Sequence, residues 1–419
     1  MIKKREFIWN TIGSFIQSLF NAIILAFCTR LNTIEIAGIF SISYATACIL
    51  NAVGDFGLRI YQVTDTERKN SFSDYLSIRL VVQALMFILG MAFILIKGYT
   101  SEKLIICLLL FAYRAIENIS ECYQAEFQLN GRLELGGKSI VYRNVAGLIL
   151  FFVIDLFTRN VIISLASLVF INLLIFVFYD LRLIKNFFKD KFKPDWNKVK
   201  KIFIDCLPLA LSTLISMYVL NAVKYAIDGS GDYTMQTYFN ILYMPTFVIN
   251  LISLFIIKPF LKPFGESWNS NEFSKFLKMI LIIVGVLLLA TICVEIGCYI
   301  LGIPFLNLLY GVELSMYKSH LLLLIVSGFL YASSNVFFYA LGTMRSSKLT
   351  TITYVLTAVF ALFMPKMLVE KYYMSGAVAS SIVIMSLLFV FMAVFFFYVY
   401  FKEYNKYKKK NNKCEKSIS

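Results

Sequence analysis

Long apolar stretches separated by short polar turns run through almost the whole chain. About twelve of them lie between Phe7 and Phe401, each near the ~20 residues that a helix needs to cross a bilayer. Their predicted bounds are 7–29, 36–62, 75–96, 103–126, 140–157, 161–181, 202–226, 234–257, 279–301, 319–342, 350–368 and 375–401. A helix satisfies its own backbone polar groups in lipid, so the pattern predicts an all-α polytopic membrane protein.

One basic interruption divides these stretches into six and six. Residues 182–201 carry eight Lys and Arg, with Pro194 and Trp196. We predict two six-helix bundles around a central cavity, because transporters often bind substrate between two structural repeats. The predicted parts are an N-terminal bundle, a basic cytoplasmic linker, a C-terminal bundle and a basic cytoplasmic tail, at residues 1–184, 185–201, 202–401 and 402–419.

The distribution of positive charge predicts the orientation. The chain is 59% hydrophobic and carries a formal net charge of +15. Of its 40 Lys and Arg, 28 fall in termini and loops on one predicted side and six on the other. The positive-inside rule therefore places both termini in the cytoplasm. The excess charge then fits anionic membrane lipid as a partner, and we expect no nucleic-acid partner.

Polar side chains recur at helical spacing in five of the stretches. Asn10, Ser14 and Gln17 share one face of the first, and Asn51 and Asp55 share one face of the second. The fourth, seventh and tenth stretches carry further sets, which are Arg114, Glu117, Asn118 and Glu121; Thr213, Ser216, Asn221 and Lys224; and Tyr331, Ser334 and Asn335. Such groups either bond neighbouring helices or line a wet interior, and full charges favour the interior.

Two of these charges have a candidate partner on their own helix. Arg114 lies three residues before Glu117, and Asp55 lies four residues before Arg59. Residues three or four apart are neighbours on a helix surface, so each pair either neutralises its own charges or leaves them available to a ligand.

Three other membrane cations lack such a partner. Arg79, Arg143 and Lys224 have no acid three or four residues away within their own stretch, although Asp228 follows the stretch of Lys224. Arg79 and Arg143 lie near inner helix ends, so their side chains would either extend to the cytoplasmic surface or meet an anionic substrate.

Several short runs resemble a known transporter family. They are Asn-Ala-Val-Gly-Asp-Phe-Gly-Leu-Arg at 51–59, Cys-Leu-Pro-Leu at 206–209, Asn-Ala-Val-Lys-Tyr-Ala-Ile-Asp at 221–228, Gln-Thr-Tyr-Phe-Asn-Ile-Leu-Tyr-Met-Pro at 236–245, and Pro259 and Pro263 beside Lys258 and Lys262. The chain resembles the polysaccharide and O-antigen repeat-unit flippases of the multidrug/oligosaccharidyl-lipid/polysaccharide exporter (MOP) superfamily. The resemblance extends over the whole chain in helix count and loop lengths.

The resemblance implies a function. Members flip undecaprenyl-pyrophosphate-linked repeat units from the inner to the outer leaflet of the bacterial cytoplasmic membrane, so the protein is expected to be a transporter working by alternating access and not an enzyme. Expected partners are the lipid-linked oligosaccharide, membrane lipid, and polysaccharide polymerase and export machinery. We expect no cofactor and no metal, with coupling to a proton or sodium ion.

The resemblance also implies site residues. Arg79, Arg114, Arg143 and Lys224 are predicted to hold the pyrophosphate. The predicted hydrogen-bond partners of sugar hydroxyls are Asn10, Ser14, Gln17, Asn51, Ser216 and Asn335. Asp55, Glu117 and Glu295 are predicted to bind the coupling ion.

Two alternatives stay open at the sequence level. An ion-coupled multidrug exporter of the same superfamily would share the architecture but would favour an acidic site. A membrane glycan polymerase or acyltransferase would use the lone His320, but the sequence has no long outer loop to supply a donor site.

Overall fold

The computed structural model describes residues 4–65, 67–188 and 192–416, and all regular structure in these ranges is helical. The helices are α1 (Lys4–Leu31), α2 (Ile34–Asp55), α3 (Leu58–Thr64), α4 (Phe72–Lys97), α5 (Ser101–Leu129), α6 (Leu133–Thr158), α7 (Val161–Ile175), α8 (Leu181–Ile184), α9 (Trp196–Ser230), α10 (Tyr233–Asn269), α11 (Phe273–Gly297), α12 (Ile303–Tyr310), α13 (Lys318–Thr343) and α14 (Ser347–Lys416). Short π-helical segments, Phe176–Asp180 and Cys298–Gly302, follow α7 and α11.

The number of membrane crossings agrees with the sequence. Ten helical segments of the described chain are long and apolar enough to span a bilayer. One of them, Lys348–Lys409, has 62 residues and is interrupted at Tyr373 (φ 50°, ψ −127°), so it is long enough for two crossings. α5 is less apolar but has 29 residues. The prediction of an all-α membrane protein with about twelve spanning helices is confirmed.

The chain forms two compact units, Met1–Asn221 and Ala222–Ser419, here called unit 1 and unit 2. The boundary lies inside α9, whereas the sequence placed the start of the second bundle at residue 202. The predicted linker, 185–201, is therefore part of unit 1, although 189–191 lie outside the described residues.

Apolar packing explains why the first half of α9 belongs to unit 1. Val199, Ile202 and Cys206 lie in the same buried cluster as Phe56 and Phe72. Polar contacts add to this attachment, because the Asp195 backbone N–H donates to the Asp74 carboxylate at 2.7 Å. Each fully buried aliphatic or aromatic side chain is worth about 1.5–3 kcal/mol, so this attachment is substantial.

The loop before α4 is organised by one carboxylate. Asp65 accepts hydrogen bonds from the backbone N–H groups of Lys69 and Asn70, both at 2.9 Å, and from the Tyr75 hydroxyl at 2.8 Å. Partial burial acts to raise the pKa of Asp65, but these hydrogen bonds outweigh it and hold the pKa below its ordinary value.

Unit 2 packs around α13, which contacts α10, α11 and α14. Phe337 of α13 lies against Phe396 of α14 with ring centroids 5.2 Å apart. The Ser253 hydroxyl of α10 donates to the Ala332 carbonyl of α13 at 3.4 Å. α13 thus forms the centre of this unit.

Candidate functional site

The second membrane span of unit 1 is broken, and an arginine caps the break. α2 ends at Asp55 because Phe56 (φ 54°) and Gly57 (φ 68°) both adopt left-handed backbone. The Arg79 guanidinium donates to the carbonyls of Gly54 and Asp55 at 3.2 and 3.0 Å. A cation at a helix C-terminus is favourable and satisfies carbonyls that lipid could not.

Hydrogen-bonded side-chain amides stabilise the same helix break. Gln83 Nε2 donates to the Gly54 carbonyl at 2.7 Å, and Asn118 Nδ2 donates to Asn51 Oδ1 at 2.9 Å and to Gln83 Oε1 at 3.2 Å. A Cβ atom on Gly54 would lie 2.7 Å from Asn118 Nδ2, so this close approach needs glycine. Asn51, predicted to bind sugar, accepts a hydrogen bond within this amide network.

Asp55 pairs with a different arginine from the one predicted. Its carboxylate lies 3.6 Å from Arg79 Nη1, while Arg59 donates to Gln124 Oε1 at 3.0 Å. The predicted Asp55–Arg59 pair is therefore wrong, because the helix break between them removes the one-turn geometry on which it rested. Arg79 is 1% exposed, so its side chain does not extend to the surface.

Arg114 and Glu117 form the predicted intrahelical ion pair. Arg114 Nη1 lies 2.6 Å from Glu117 Oε2, and Arg114 Nη2 donates to the Tyr44 hydroxyl at 2.7 Å. Gln17 of α1 donates to the other oxygen of Glu117. Three helices thus meet at one buried charged cluster, which holds a predicted pyrophosphate residue, a predicted sugar residue and a predicted coupling residue.

Arg143 is the exception among the buried cations of unit 1. It is 3% exposed, and its buried Nε has no hydrogen-bond partner among the described residues. Asp180 interacts with it electrostatically, but one oxygen of Asp180 accepts from Ser120 and Ser139, at 2.6 and 2.9 Å. Arg143 is therefore a buried permanent cation with at least one N–H donor that no described residue accepts.

The other predicted hydrogen-bonding residues of unit 1 are partly accessible. Asn10 and Ser216 are half-buried, and Ser14 is exposed. The Ser216 hydroxyl donates to the Thr213 carbonyl at 2.8 Å within its helix. Their role toward a sugar stays a prediction.

In unit 2, Lys224 is buried, with 8% exposure, and Glu295 is half-buried. The prediction that Lys224 has no acid three or four residues away on its own helix is wrong, because α9 runs to Ser230 and includes Asp228. Asn335 Nδ2 donates to Asn250 Oδ1 at 3.1 Å. Convergence of Lys224 with the three arginines, which lie in unit 1, stays a prediction.

His320 contacts one hydroxyl. Its Nε2 lies 2.9 Å from Ser375 Oγ, while its buried Nδ1 has no hydrogen-bond partner among the described residues. Within this part of the chain, no acid orients the ring as a Ser-His-acid triad would require. The described residues also contain no group of three His, Cys, Asp or Glu arranged to hold a metal ion.

Two groups of polar residues were missed by sequence reasoning. Asp180 and Gln83 lie in apolar stretches, where a lone acid or amide is itself a signal of an interior partner. Tyr243, Tyr339 and Tyr354 were also missed, since tyrosine fits both apolar and polar helix faces.

Comparison with known proteins supplies a relative and several related structures. No protein-family model matches the chain. The capsular polysaccharide biosynthesis protein CapF of Staphylococcus aureus is 27% identical over 345 residues, which cover 81% of this chain and 84% of that protein.

Solved transporter structures match almost the whole chain. An inward-facing multidrug resistance MATE family transporter of the MOP superfamily aligns with a TM-score of 0.65 at 16% identity, covering 97% of this chain and 99% of that one. The MATE transporter VcmN of Vibrio cholerae gives 0.59 at 13% identity, with 96% and 97% covered. A MOP superfamily transporter from Pyrococcus furiosus gives 0.56 at 14% identity, with 94% and 95% covered.

The fold is that of a MOP-superfamily membrane transporter with multiple membrane crossings. The resemblance seen in the sequence is thereby confirmed, with CapF as the relative connected to polysaccharide biosynthesis. The fold alone fits the multidrug-exporter alternative equally well.

Proposed function

We propose that the protein is a flippase that translocates undecaprenyl-pyrophosphate-linked oligosaccharide repeat units from the inner to the outer leaflet of the bacterial cytoplasmic membrane, for surface polysaccharide assembly. It works by alternating access and leaves the covalent bonds of its substrate unchanged. The relative CapF, named for capsular polysaccharide biosynthesis, supports this class of cargo.

Arg143 is the observation that carries the proposal. A permanent cation inside a membrane protein is costly unless an anion or hydrogen-bond acceptors compensate it. Asp180 interacts electrostatically with Arg143, but the buried Nε of Arg143 has no hydrogen-bond partner among the described residues. A pyrophosphate supplies both an anion and acceptors, since its oxygens accept charge-assisted hydrogen bonds from guanidinium groups. A cationic drug would instead meet repulsion from this residue.

Two of the acids of unit 1 are consistent with the same choice. Glu117 is bound by Arg114 and Gln17, and Asp55 lies near Arg79, so neither acid is left as a free counter-charge for a cationic drug. Asp55, Glu117 and Glu295 remain our candidates for coupling a proton or sodium ion.

Export in cells that lack their own repeat-unit flippase tests the proposal. We expect the wild-type chain to restore surface polysaccharide, Arg143→Gln to reduce it at least tenfold, and Arg143→Lys to retain part of it, because Lys keeps the charge but not the planar fork. The matched control is Tyr142→Phe, at the exposed neighbouring position.

The same cells separate the two candidate functions. A chain that restores no polysaccharide but raises resistance to a cationic dye such as ethidium is a multidrug exporter. The match to MATE transporters in fold is the observation that keeps this second candidate.

The proposed orientation places both termini in the cytoplasm and the α9–α10 turn outside. Single cysteines at Ser230 and at Ser417, which lies outside the described residues, test it in a background without native cysteines. An impermeant maleimide should label the Ser230 position in intact cells and leave the Ser417 position unlabelled. The reverse pattern contradicts the orientation.

A further inference from the structure

Tyrosine and asparagine side chains form a stripe along the central helix of unit 2. Tyr331, Asn335 and Tyr339 of α13 are spaced four residues apart, so they share one helix face. All three are partly exposed, although most of the surrounding helix is buried. The stripe lies in the middle and later part of a membrane-spanning helix.

Two other helices extend this stripe. Tyr243 of α10 interacts with Tyr331, and Asn250 of α10 accepts a hydrogen bond from Asn335 at 3.1 Å. Tyr354 of α14 interacts with both Tyr331 and Tyr339. The partly exposed members of this Tyr–Asn face are Tyr243, Asn250, Tyr331, Asn335 and Tyr339, whereas Tyr354 is buried.

The face is neutral. The polar groups that interact with Tyr243, Tyr331 and Tyr354 are tyrosine, asparagine and threonine side chains. It therefore offers no full charge for a phosphate or a cationic drug. It offers phenol and amide groups, which both donate and accept hydrogen bonds, beside flat aromatic rings.

The position of the face indicates what it can meet. A phenol or amide that is partly exposed in the middle of a membrane span is unfavourable against lipid tails, so it faces a protein interior reached by water or ligand. Interhelical hydrogen bonding explains the Asn335–Asn250 contact. It does not explain why Tyr243, Tyr331 and Tyr339 keep part of their surface accessible.

We propose that the Tyr–Asn face binds the sugar residues of the lipid-linked substrate. Sugar rings present apolar C–H faces, which pack on aromatic rings, and hydroxyl groups, which exchange hydrogen bonds with phenols and amides. The proposal rests on the proposed flippase function. It extends the sequence prediction from Asn335 alone to a five-residue face and gives unit 2 a sugar-binding role.

Binding of two lipids to the purified full-length protein tests this proposal. The probes are undecaprenyl pyrophosphate without sugar and the same lipid carrying the repeat unit made by the host's glycosyltransferases, with Kd measured in detergent micelles. We expect the wild type to bind the sugar-bearing lipid ~10-fold more tightly, since a few hydrogen bonds of about 1 kcal/mol each suffice for that difference.

Two nearly isosteric variants identify the face. Tyr331→Phe combined with Asn335→Leu should remove the ~10-fold preference while leaving the Kd for the bare lipid unchanged, and Tyr331→Phe alone should reduce the preference. Tyr398→Phe is the matched control, because Tyr398 is 60% exposed and lies outside the face. A thermal unfolding curve for each variant checks that it is folded.

Each other outcome has a clear meaning. Equal binding of the two lipids by the wild type, or equal weakening of both by the variants, overturns the sugar-binding face and leaves the flippase function standing. Binding of neither lipid by the wild type overturns the proposed function and this inference together.

Discussion

The two units differ in how they treat charge. Unit 1 buries nine charged side chains, which are Asp74, Arg79, Lys103, Glu117, Glu126, Glu134, Arg143, Asp155 and Asp180. In the described part of unit 2, Lys224 is the single buried charge, and the other buried polar residues are Ser, Thr, Asn and Gln. Two units of similar length and helix content thus have different interiors.

Most of the charges in unit 1 have a structural use. Arg79 caps the broken second span, and Asp155 accepts from Asn32 and Ser164, at 2.8 and 3.1 Å. Each charged residue at a helix centre costs about 2.5–3.5 kcal/mol on insertion scales, so such residues persist where partners or function compensate. Arg143, whose buried Nε has no hydrogen-bond partner among the described residues, is therefore the residue of unit 1 that we predict to bind an anionic ligand.

The largest expected effect follows from changing Lys224, the one buried charged residue in the described part of unit 2. We expect Lys224→Ala to abolish glycan export while the amount of protein stays normal, and Lys224→Arg to retain part of the activity, because the charge serves the substrate. Export and membrane abundance are measured together. Lys366→Ala, at an exposed lysine of the same unit, is the control. Normal export by both Lys224 variants would show that this charge is structural.

A stability effect is expected from the capping arginine of unit 1. Arg79→Met leaves the Gly54 and Asp55 carbonyls without their charged donor and Asp55 without its partner, so the free energy of unfolding should fall by about 2–5 kcal/mol. A lower melting temperature of the purified protein is the measurement. Leu80→Ala, at the exposed next position, is the control. An unchanged melting temperature with lost export would instead make Arg79 a substrate residue.

The smallest effect concerns the loop before α4 in unit 1. Because hydrogen bonds hold the pKa of Asp65 below its ordinary value of 3.8, its ionised form stabilises the fold above that pH, and the stabilisation is lost as the pH falls through the lowered pKa. Asp65→Asn should therefore lower the melting temperature by a few degrees at pH 7 and by less near pH 3. Glu67→Gln, at an exposed neighbour, is the control. A difference that is independent of pH would contradict this account.

Sequence periodicity predicted the helices well but not the interior contacts. The Arg114–Glu117 pair was predictable because both residues lie on one unbroken helix. The Asp55–Arg59 pair failed because Phe56 and Gly57 turn the chain between them, and the actual partner, Arg79, comes from α4. Gly57 was the available signal, since glycine permits the left-handed backbone that ends a helix.

The same limit applies to the unpaired residues. Sequence spacing identified Arg143 as lacking an acid on its own helix, but its burial depends on packing between helices that spacing does not encode. In unit 2 the four-residue spacing of Tyr331, Asn335 and Tyr339 was readable, whereas the contribution of α10 and α14 required the fold.

The polarity of α5 has a consequence for how the protein is made. α5 is absent from the ten segments apolar enough to enter a bilayer on their own composition, since it carries Arg114, Glu117 and Glu121. The Gln17, Tyr44 and Asn51 side chains that form hydrogen bonds with its polar groups belong to α1 and α2, which are synthesised earlier. We therefore expect co-translational insertion of α5 to depend on α1 and α2 remaining beside the translocon until it arrives, so that the order of synthesis becomes part of the folding pathway.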